Sequence, residues 1–301
     1  MTRHLFLHIG MPKSGSTYLQ RVLLQNQATL AAAGISYPHD SPGQGHPGNG
    51  RDIGTCDTAQ LEALFDGHDR MILSHEDLYT QGEGAVGLRQ AAKNLGVAIH
   101  IQAFVRPFSE FAFGDYSQSM KQNFRIFLKN RSPYMGRSFE QYTAMRGRTL
   151  NPVLRFRQWQ SSLPEAQIAV DSHKDIRPVV ETYLTRFGDL PTLNWHLPKY
   201  LTNPSLRTQD CDDLARMIAN KHISEDYIEA HRRAVMHETG KPDAGRTKER
   251  ITWLEAMCEH RNAELWVEYG YDNRLPDAKG TDWGVVLPAK LPAPDVYHSE
   301  E

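Results

Sequence analysis

Apolar runs alternate with amphipathic stretches along the chain, and this alternation predicts strands and helices in turn. Short runs with the composition of buried strands occupy residues 5–9, 71–73, 97–105 and 167–170. The first run is followed by apolar residues at helical spacing: Leu19, Val22, Leu23 and Leu30. Because predicted strands alternate with predicted helices, we expect an α/β fold with a parallel sheet flanked by helices.

Helical patterns fill most of the remaining chain. They are predicted at residues 16–33, 57–65, 88–95, 115–129, 139–142, 150–159, 179–187, 210–220 and 247–269. Residues 281–301 are rich in proline and are expected to be extended or disordered. The sequence therefore predicts one domain over residues 1–280, with a helical C-terminal part, followed by this tail.

Composition narrows the class of protein. The chain has 301 residues, of which 40% are hydrophobic and 23% charged, and its net charge of −2 argues against a dedicated nucleic-acid binder. Three widely spaced cysteines (Cys56, Cys211 and Cys258) indicate a reducing compartment without a disulfide framework or zinc site. The first predicted strand leaves no room for a secretory signal, and no apolar run approaches the ~20 residues of a membrane span. We expect a cytoplasmic protein.

The turn after the first strand carries the strongest chemical signal. Residues 10–17 read GMPKSGST, a glycine-bearing turn that leads into a helix, and Ser14, Ser16 and Thr17 are candidate caps of that helix. Backbone N–H groups, the helix dipole and Lys13 together predict an anion site. In the triphosphate loop GxxxxGK[ST] the lysine follows the second glycine, but Ser16 stands there, and Lys13 lies in mid-loop.

Three side chains are candidates for a general base. His75 and Glu76 follow the predicted strand 71–73, at the edge where parallel sheets bind ligands. Side chains alternate along extended chain, so these two are not expected to face the same cleft. His46 lies in a long loop over residues 38–54 that is crowded with glycine and proline.

Two motifs resemble sulfotransferases that use 3′-phosphoadenosine 5′-phosphosulfate (PAPS), and the element order resembles the bacterial branch of that family. The mid-loop lysine within PKSGST resembles the family's 5′-phosphosulfate loop. Arg106 at the end of the strand 97–105, with Tyr116 ten residues later, resembles the second motif, which holds the 3′-phosphate. Gly114 stands where that motif has a serine.

The resemblance implies roles for individual residues. Lys13 would be the catalytic cation, the loop from Ser14 through Gly15 and Ser16 to Thr17 would bind the donor, and Tyr18 would stack on adenine. Arg106 would hold the 3′-phosphate, with Ser205 or Arg207 supplying the contact that Gly114 lacks. His173 falls near a tyrosine position that contacts adenine. A glutamate after the strand is the base of the carbohydrate-type members, which favours Glu76 over His75.

The predicted function is transfer of a sulfuryl group from PAPS, without a metal, to a hydroxyl or amine of a glycan or small molecule. The acceptor and the oligomeric state are left open by the sequence. Lys121, Arg125 and Lys129 share one side of a predicted helix and would suit an anionic acceptor. The alternatives are a P-loop small-molecule kinase that uses ATP–Mg²⁺ and a catalytically inactive nucleotide-binding module.

Overall fold

Five parallel strands form one sheet. The computed structural model describes residues 2–39, 46–149, 151–175, 196, 205–238 and 241–279, and the account below concerns these residues. The strands are β1 Arg3–His8, β2 Ile35–Ser36, β3 Arg70–Ser74, β4 Val97–Val105 and β5 Gln167–Ser172. Their order in the sheet is β2-β3-β1-β4-β5. The parallel α/β architecture predicted from the alternating pattern is confirmed.

Ten α-helices are present in this part of the chain. They are α1 Ser16–Gln25, α2 Gln27–Ala32, α3 Thr58–Phe65, α4 Val86–Leu95, α5 Phe108–Asn130, α6 Phe139–Thr149, α7 Pro152–Ser162, α8 Thr208–Ala219, α9 Glu225–Met236 and α10 Lys248–Tyr269. Among the residues described, no helix is both long and apolar enough to cross a membrane.

Strand β1 lies at the centre of the sheet and has apolar side chains on both faces. Leu5 and Leu7 belong to the large cluster that packs α3, α4 and α7 against the sheet, whereas Phe6 belongs to a smaller cluster with Leu19 and Leu23 of α1. This alternation follows from the two-residue period of a strand. Helices on both faces explain why the strands are near-continuous apolar runs.

The register brings several loops to one edge of the sheet. His8, the last residue of β1, lies opposite Ser74 of β3 and Gln102 of β4. Because all five strands are parallel, the segments that follow β1, β3, β4 and β5 leave from the same edge. This edge carries the residues that the sequence singled out.

Some predicted boundaries need correction. The prediction of a single helix over residues 16–33 is wrong, because the helix is interrupted at Asn26, between α1 and α2. The Asn26 amide donates to the carbonyl oxygens of Val22 (2.6 Å) and His196 (2.9 Å). Helix α5 starts seven residues before the predicted helix at 115, and α9 was not predicted. The predicted helix 179–187 and the tail 281–301 lie outside the described residues.

Candidate functional site

The loop after β1 is anchored on strand β4. The N–H groups of Ile9 and Met11 donate to the carbonyls of Gln102 and Phe104, each at 3.0 Å, and the Phe104 N–H donates to the Gly10 carbonyl at 2.9 Å. Gly10 has a φ of +92°, a conformation that favours glycine. Lys13 also has a positive φ, 64°. The loop thus folds back tightly at the carboxyl edge of the sheet.

Helix α1 begins without a side-chain cap. Its N-cap is Gly15, in the left-handed conformation with φ 85°, so the prediction that Ser14, Ser16 or Thr17 caps this helix is wrong. The Oγ atoms of Ser14 and Ser16 are buried and have no hydrogen-bond partner within the described structure. The N–H groups of a helix's first turn have no intrahelical acceptor. Unused donors therefore collect at one point, which suits an anion.

Lys13 lies among charged side chains of three other elements. Burial lowers the pKa of its ammonium group, and the charges of Glu76 and Asp115 partly oppose that shift. Burial also lowers the pKa of Lys121 on α5, and the nearby charge of Lys13 lowers it further. The structure thus brings the predicted cation and the predicted base close enough to interact.

The histidine and glutamate after β3 have different surroundings. His75 is only 3% exposed, and its Nδ1 accepts a hydrogen bond from the Asp77 N–H at 3.1 Å. That bond leaves the ring proton on Nε2 in the neutral form. Burial is the main cause that lowers the pKa of His75. Glu76 is half-exposed, with Oε1 4.0 Å from Nε2 of His46.

Arg106 connects the second motif to the loop. Its Nη1 donates to the Lys13 carbonyl at 2.7 Å, across 93 residues of sequence. Gly114 lies beside it on α5, where an added Cβ would stand 3.5 Å from Nη1 of Arg106. The positions of the two motifs are therefore adjacent in space, and Gly114 leaves room beside the guanidinium group.

Glu110 and the segment after β5 complete this corner. Glu110 Oε2 lies 3.4 Å from Nη2 of Arg106 and 3.4 Å from Nε2 of His173, and its Oε1 lies 3.2 Å from Nζ of Lys174. Burial, with the charge of Arg106, lowers the pKa of His173 to about 4. Burial alone would raise the pKa of Glu110, but Arg106 and Lys174 hold it below its usual range. Glu110 and Lys174 were not among the predicted site residues.

Other predicted residues lie in different settings. The half-buried Tyr18 packs against the cluster beneath α1. Arg207 forms an ion pair with Asp210 at 2.7 Å, and Ser205 is exposed. Tyr116, the last residue of the second motif, is buried in a core cluster and its hydroxyl donates to Asp212 at 3.0 Å. Nothing in these contacts joins Ser205 or Arg207 to Arg106.

A cavity of about 1240 Å³ opens at the carboxyl ends of β2 and β3. Its lining includes His46 and His75, together with the polar side chains of Asn49, Arg51 and Gln60. Nε2 of the lining residue His46 lies 4.0 Å from Oε1 of Glu76, whereas Glu76 itself is not among the described residues that line the cavity.

Comparison with known proteins adds no family. No protein-family model matches the chain, and a search of curated proteins finds no significant match. Within the described residues, no group of three or more His, Cys, Asp or Glu side chains is arranged to hold a metal ion. The fold and the site define an α/β protein whose parallel sheet carries a strand–turn–helix loop, a lysine and a carboxylate at one edge.

Proposed function

We propose that this chain is a PAPS-dependent sulfotransferase, similar to the bacterial branch of the family and active in the cytoplasm. The observation that carries the proposal is the 2.7 Å hydrogen bond from Arg106 to the Lys13 carbonyl. It joins two motifs that would bind opposite ends of the same donor. A turn with a surface lysine would not require an arginine from the end of a neighbouring strand.

The residues at the loop are suited to the phosphosulfate end of the donor. The buried hydroxyls of Ser14 and Ser16 have no partner within the described structure, and α1 has no side-chain cap. An anionic oxygen at this point would receive hydrogen bonds from both hydroxyls and from N–H groups of the first turn. Arg106 and the space at Gly114 would receive the 3′-phosphate.

The donor, when bound, supplies a sulfuryl group on an activated phosphosulfate bond. Glu76 would take the proton from the acceptor hydroxyl or amine as that oxygen or nitrogen forms its bond to sulfur. Lys13 and the loop N–H groups would stabilise the negative charge on the phosphate oxygen as its bond to sulfur breaks. Partial burial of Lys13 strengthens this interaction, because the local dielectric is lower than that of water.

The cavity beside His46 is the proposed place of the acceptor. It is wide, and amide and imidazole groups are part of its lining, so it suits a ligand that presents several hydroxyls or amines. A glycan or a small polar molecule has this character. An acceptor hydroxyl bound beside His46 would lie close to the proposed base, because Nε2 of His46 is 4.0 Å from Oε1 of Glu76.

Calorimetry of nucleotide binding tests the proposal. We expect adenosine 3′,5′-bisphosphate to bind more tightly than 5′-AMP, with the same affinity in EDTA as in Mg²⁺. Arg106→Ala should remove a charge-assisted contact worth ~1.5–3 kcal/mol. The ratio of the affinity for the bisphosphate to that for 5′-AMP should therefore fall by about ten- to hundredfold. Affinity for 5′-AMP is the control, since it reports whether the loop stays intact.

Two results would replace the proposal. Preference for ATP–Mg²⁺ over the bisphosphate would indicate the small-molecule kinase, whose chemistry depends on that metal. Tight binding of the bisphosphate without sulfate transfer to any hydroxyl or amine offered would indicate a nucleotide-binding module.

A further inference from the structure

The carboxylate of Glu110 contacts two cationic groups and one imidazole ring at the proposed 3′-phosphate corner. It is 3.4 Å from Arg106, 3.4 Å from His173 and 3.2 Å from Lys174. The positive charge of Arg246 is one of the causes that lower the pKa of Arg106, after burial. These contacts are the ones that a bound phosphate would make, so the chain's own carboxylate takes the place of an anionic ligand.

This corner has a hydrogen-bond donor beyond those that Glu110 satisfies. Nε of Arg106 is buried without a hydrogen-bond partner in the described structure. A carboxylate has two oxygens, whereas a phosphate has three and carries up to two charges. A phosphate would therefore suit the corner better than Glu110 does.

The side chain of Glu110 borders solvent. Glu110 lies in the first turn of α5, four residues after Arg106, and its side chain is 22% exposed. The neighbouring Glu255 accepts the Ser109 N–H at 3.1 Å, and the negative charge of Glu110 is one cause of its raised pKa, after burial. Release of Glu110 into solvent would relieve that repulsion.

We propose that Glu110 closes the 3′-phosphate pocket and is displaced when a nucleotide with that phosphate binds. Glu110 thereby limits how strongly the protein distinguishes nucleotides with a 3′-phosphate from those without it. This inference rests on the proposed function, in that the pocket is taken to belong to the donor. It concerns specificity and assigns Glu110 no part in the transfer step.

Glu110→Gln tests the inference, because it keeps the shape of the side chain and removes its charge. We expect its affinity for adenosine 3′,5′-bisphosphate to rise roughly tenfold, while its affinity for 5′-AMP stays at the wild-type value. The matched control is Glu62→Gln, which removes the carboxylate of the exposed Arg3–Glu62 pair at 2.6 Å. That variant should bind both nucleotides as the wild type does.

The opposite result is also informative. If Glu110→Gln lowers affinity for the bisphosphate, then Glu110 orients Arg106 and the inference is wrong. An equal rise for both nucleotides overturns it as well, because the effect would not depend on the 3′-phosphate.

Inorganic phosphate separates this inference from the proposed function. If wild type binds neither nucleotide, the sulfotransferase proposal fails, but the pocket can still be tested by thermal stabilisation in phosphate. Stabilisation of Glu110→Gln above the wild type, abolished when Arg106→Ala is added, supports a pocket closed by Glu110. If phosphate stabilises Glu110→Gln no more than it stabilises the wild type, the inference about Glu110 is wrong.

Discussion

Restoring the serine that the second motif lacks gives the sharpest prediction. Gly114 lies within α5, and an added Cβ would meet Nη1 of Arg106 at 3.5 Å, an ordinary van der Waals contact. Gly114→Ser should therefore be accommodated. Its hydroxyl would lie beside the guanidinium group, where a 3′-phosphate would accept a hydrogen bond from both.

Two contributions can be separated by a matched pair of variants. Glycine is less favourable than alanine inside a helix by ~1 kcal/mol, and serine lies between them, so Gly114→Ala and Gly114→Ser should both stabilise the fold. Only the serine adds a donor. A hydrogen bond to a charged group is worth ~1.5–3 kcal/mol, which predicts an increase of about tenfold or more in affinity for adenosine 3′,5′-bisphosphate.

Calorimetry with the bisphosphate and with 5′-AMP, alongside chemical denaturation, measures both contributions. Gly114→Ser should gain affinity only for the bisphosphate, and Gly114→Ala should gain stability without affinity. If the two variants gain affinity equally, helix stability explains the effect. If neither gains, the phosphate does not lie at Arg106 and the reasoning fails.

Three further predictions concern the loop lysine Lys13, the proposed base Glu76 and His8 at the end of strand β1. Lys13→Ala should lower turnover by ~10²–10³ with a much smaller loss of product-nucleotide affinity, and unchanged turnover would contradict its catalytic role. Glu76→Gln should abolish transfer, whereas His75→Ala should lower the rate less, because Nδ1 of His75 already accepts the Asp77 N–H. Steady-state rates of both variants measure this, provided that each binds the nucleotide as the wild type does. The reverse order of rates would make the histidine the base. Burial lowers the pKa of His8 to about 3 from 6.5, so unfolding takes up a proton and stability falls as pH drops from about 6.5 toward 3. The loss is roughly 2 kcal/mol at pH 5, and denaturation of His8→Gln at pH 7 and pH 5 should lack it; an identical loss would mean that His8 is not its source.

The centre of the sheet was predictable because β1, β3 and β4 carry buried apolar residues on both faces. Residues 97–105 form a nearly continuous apolar run, and the structure has a strand over those residues. Glycine also marked helix ends correctly, since Gly96 ends α4 with a φ of 64°. The break at Asn26 could not be predicted, because it depends on hydrogen bonds to His196, 170 residues away.

The site was only partly predictable, for a similar reason. The sequence singled out Lys13, Glu76 and Arg106 separately, and the structure places Lys13 near both of the others. Glu110 was missed although its spacing from Arg106, i to i+4, is typical of an ion pair on a helix. That spacing cannot reveal that His173 and Lys174, from the end of β5, converge on the same carboxylate.

The binding role proposed for the loop would explain why α1 has no side-chain cap. A turn that serves only stability would use an adjacent serine to satisfy the first helical N–H groups, a contribution of ~1 kcal/mol. Here Gly15 is the N-cap, while the hydroxyls of Ser14 and Ser16 are buried without partners in the described structure. Burying unsatisfied polar groups is unfavourable, so the arrangement is explained if an anion satisfies them. The unfavourable local chemistry of the free loop is thus the same feature that would bind a phosphosulfate group.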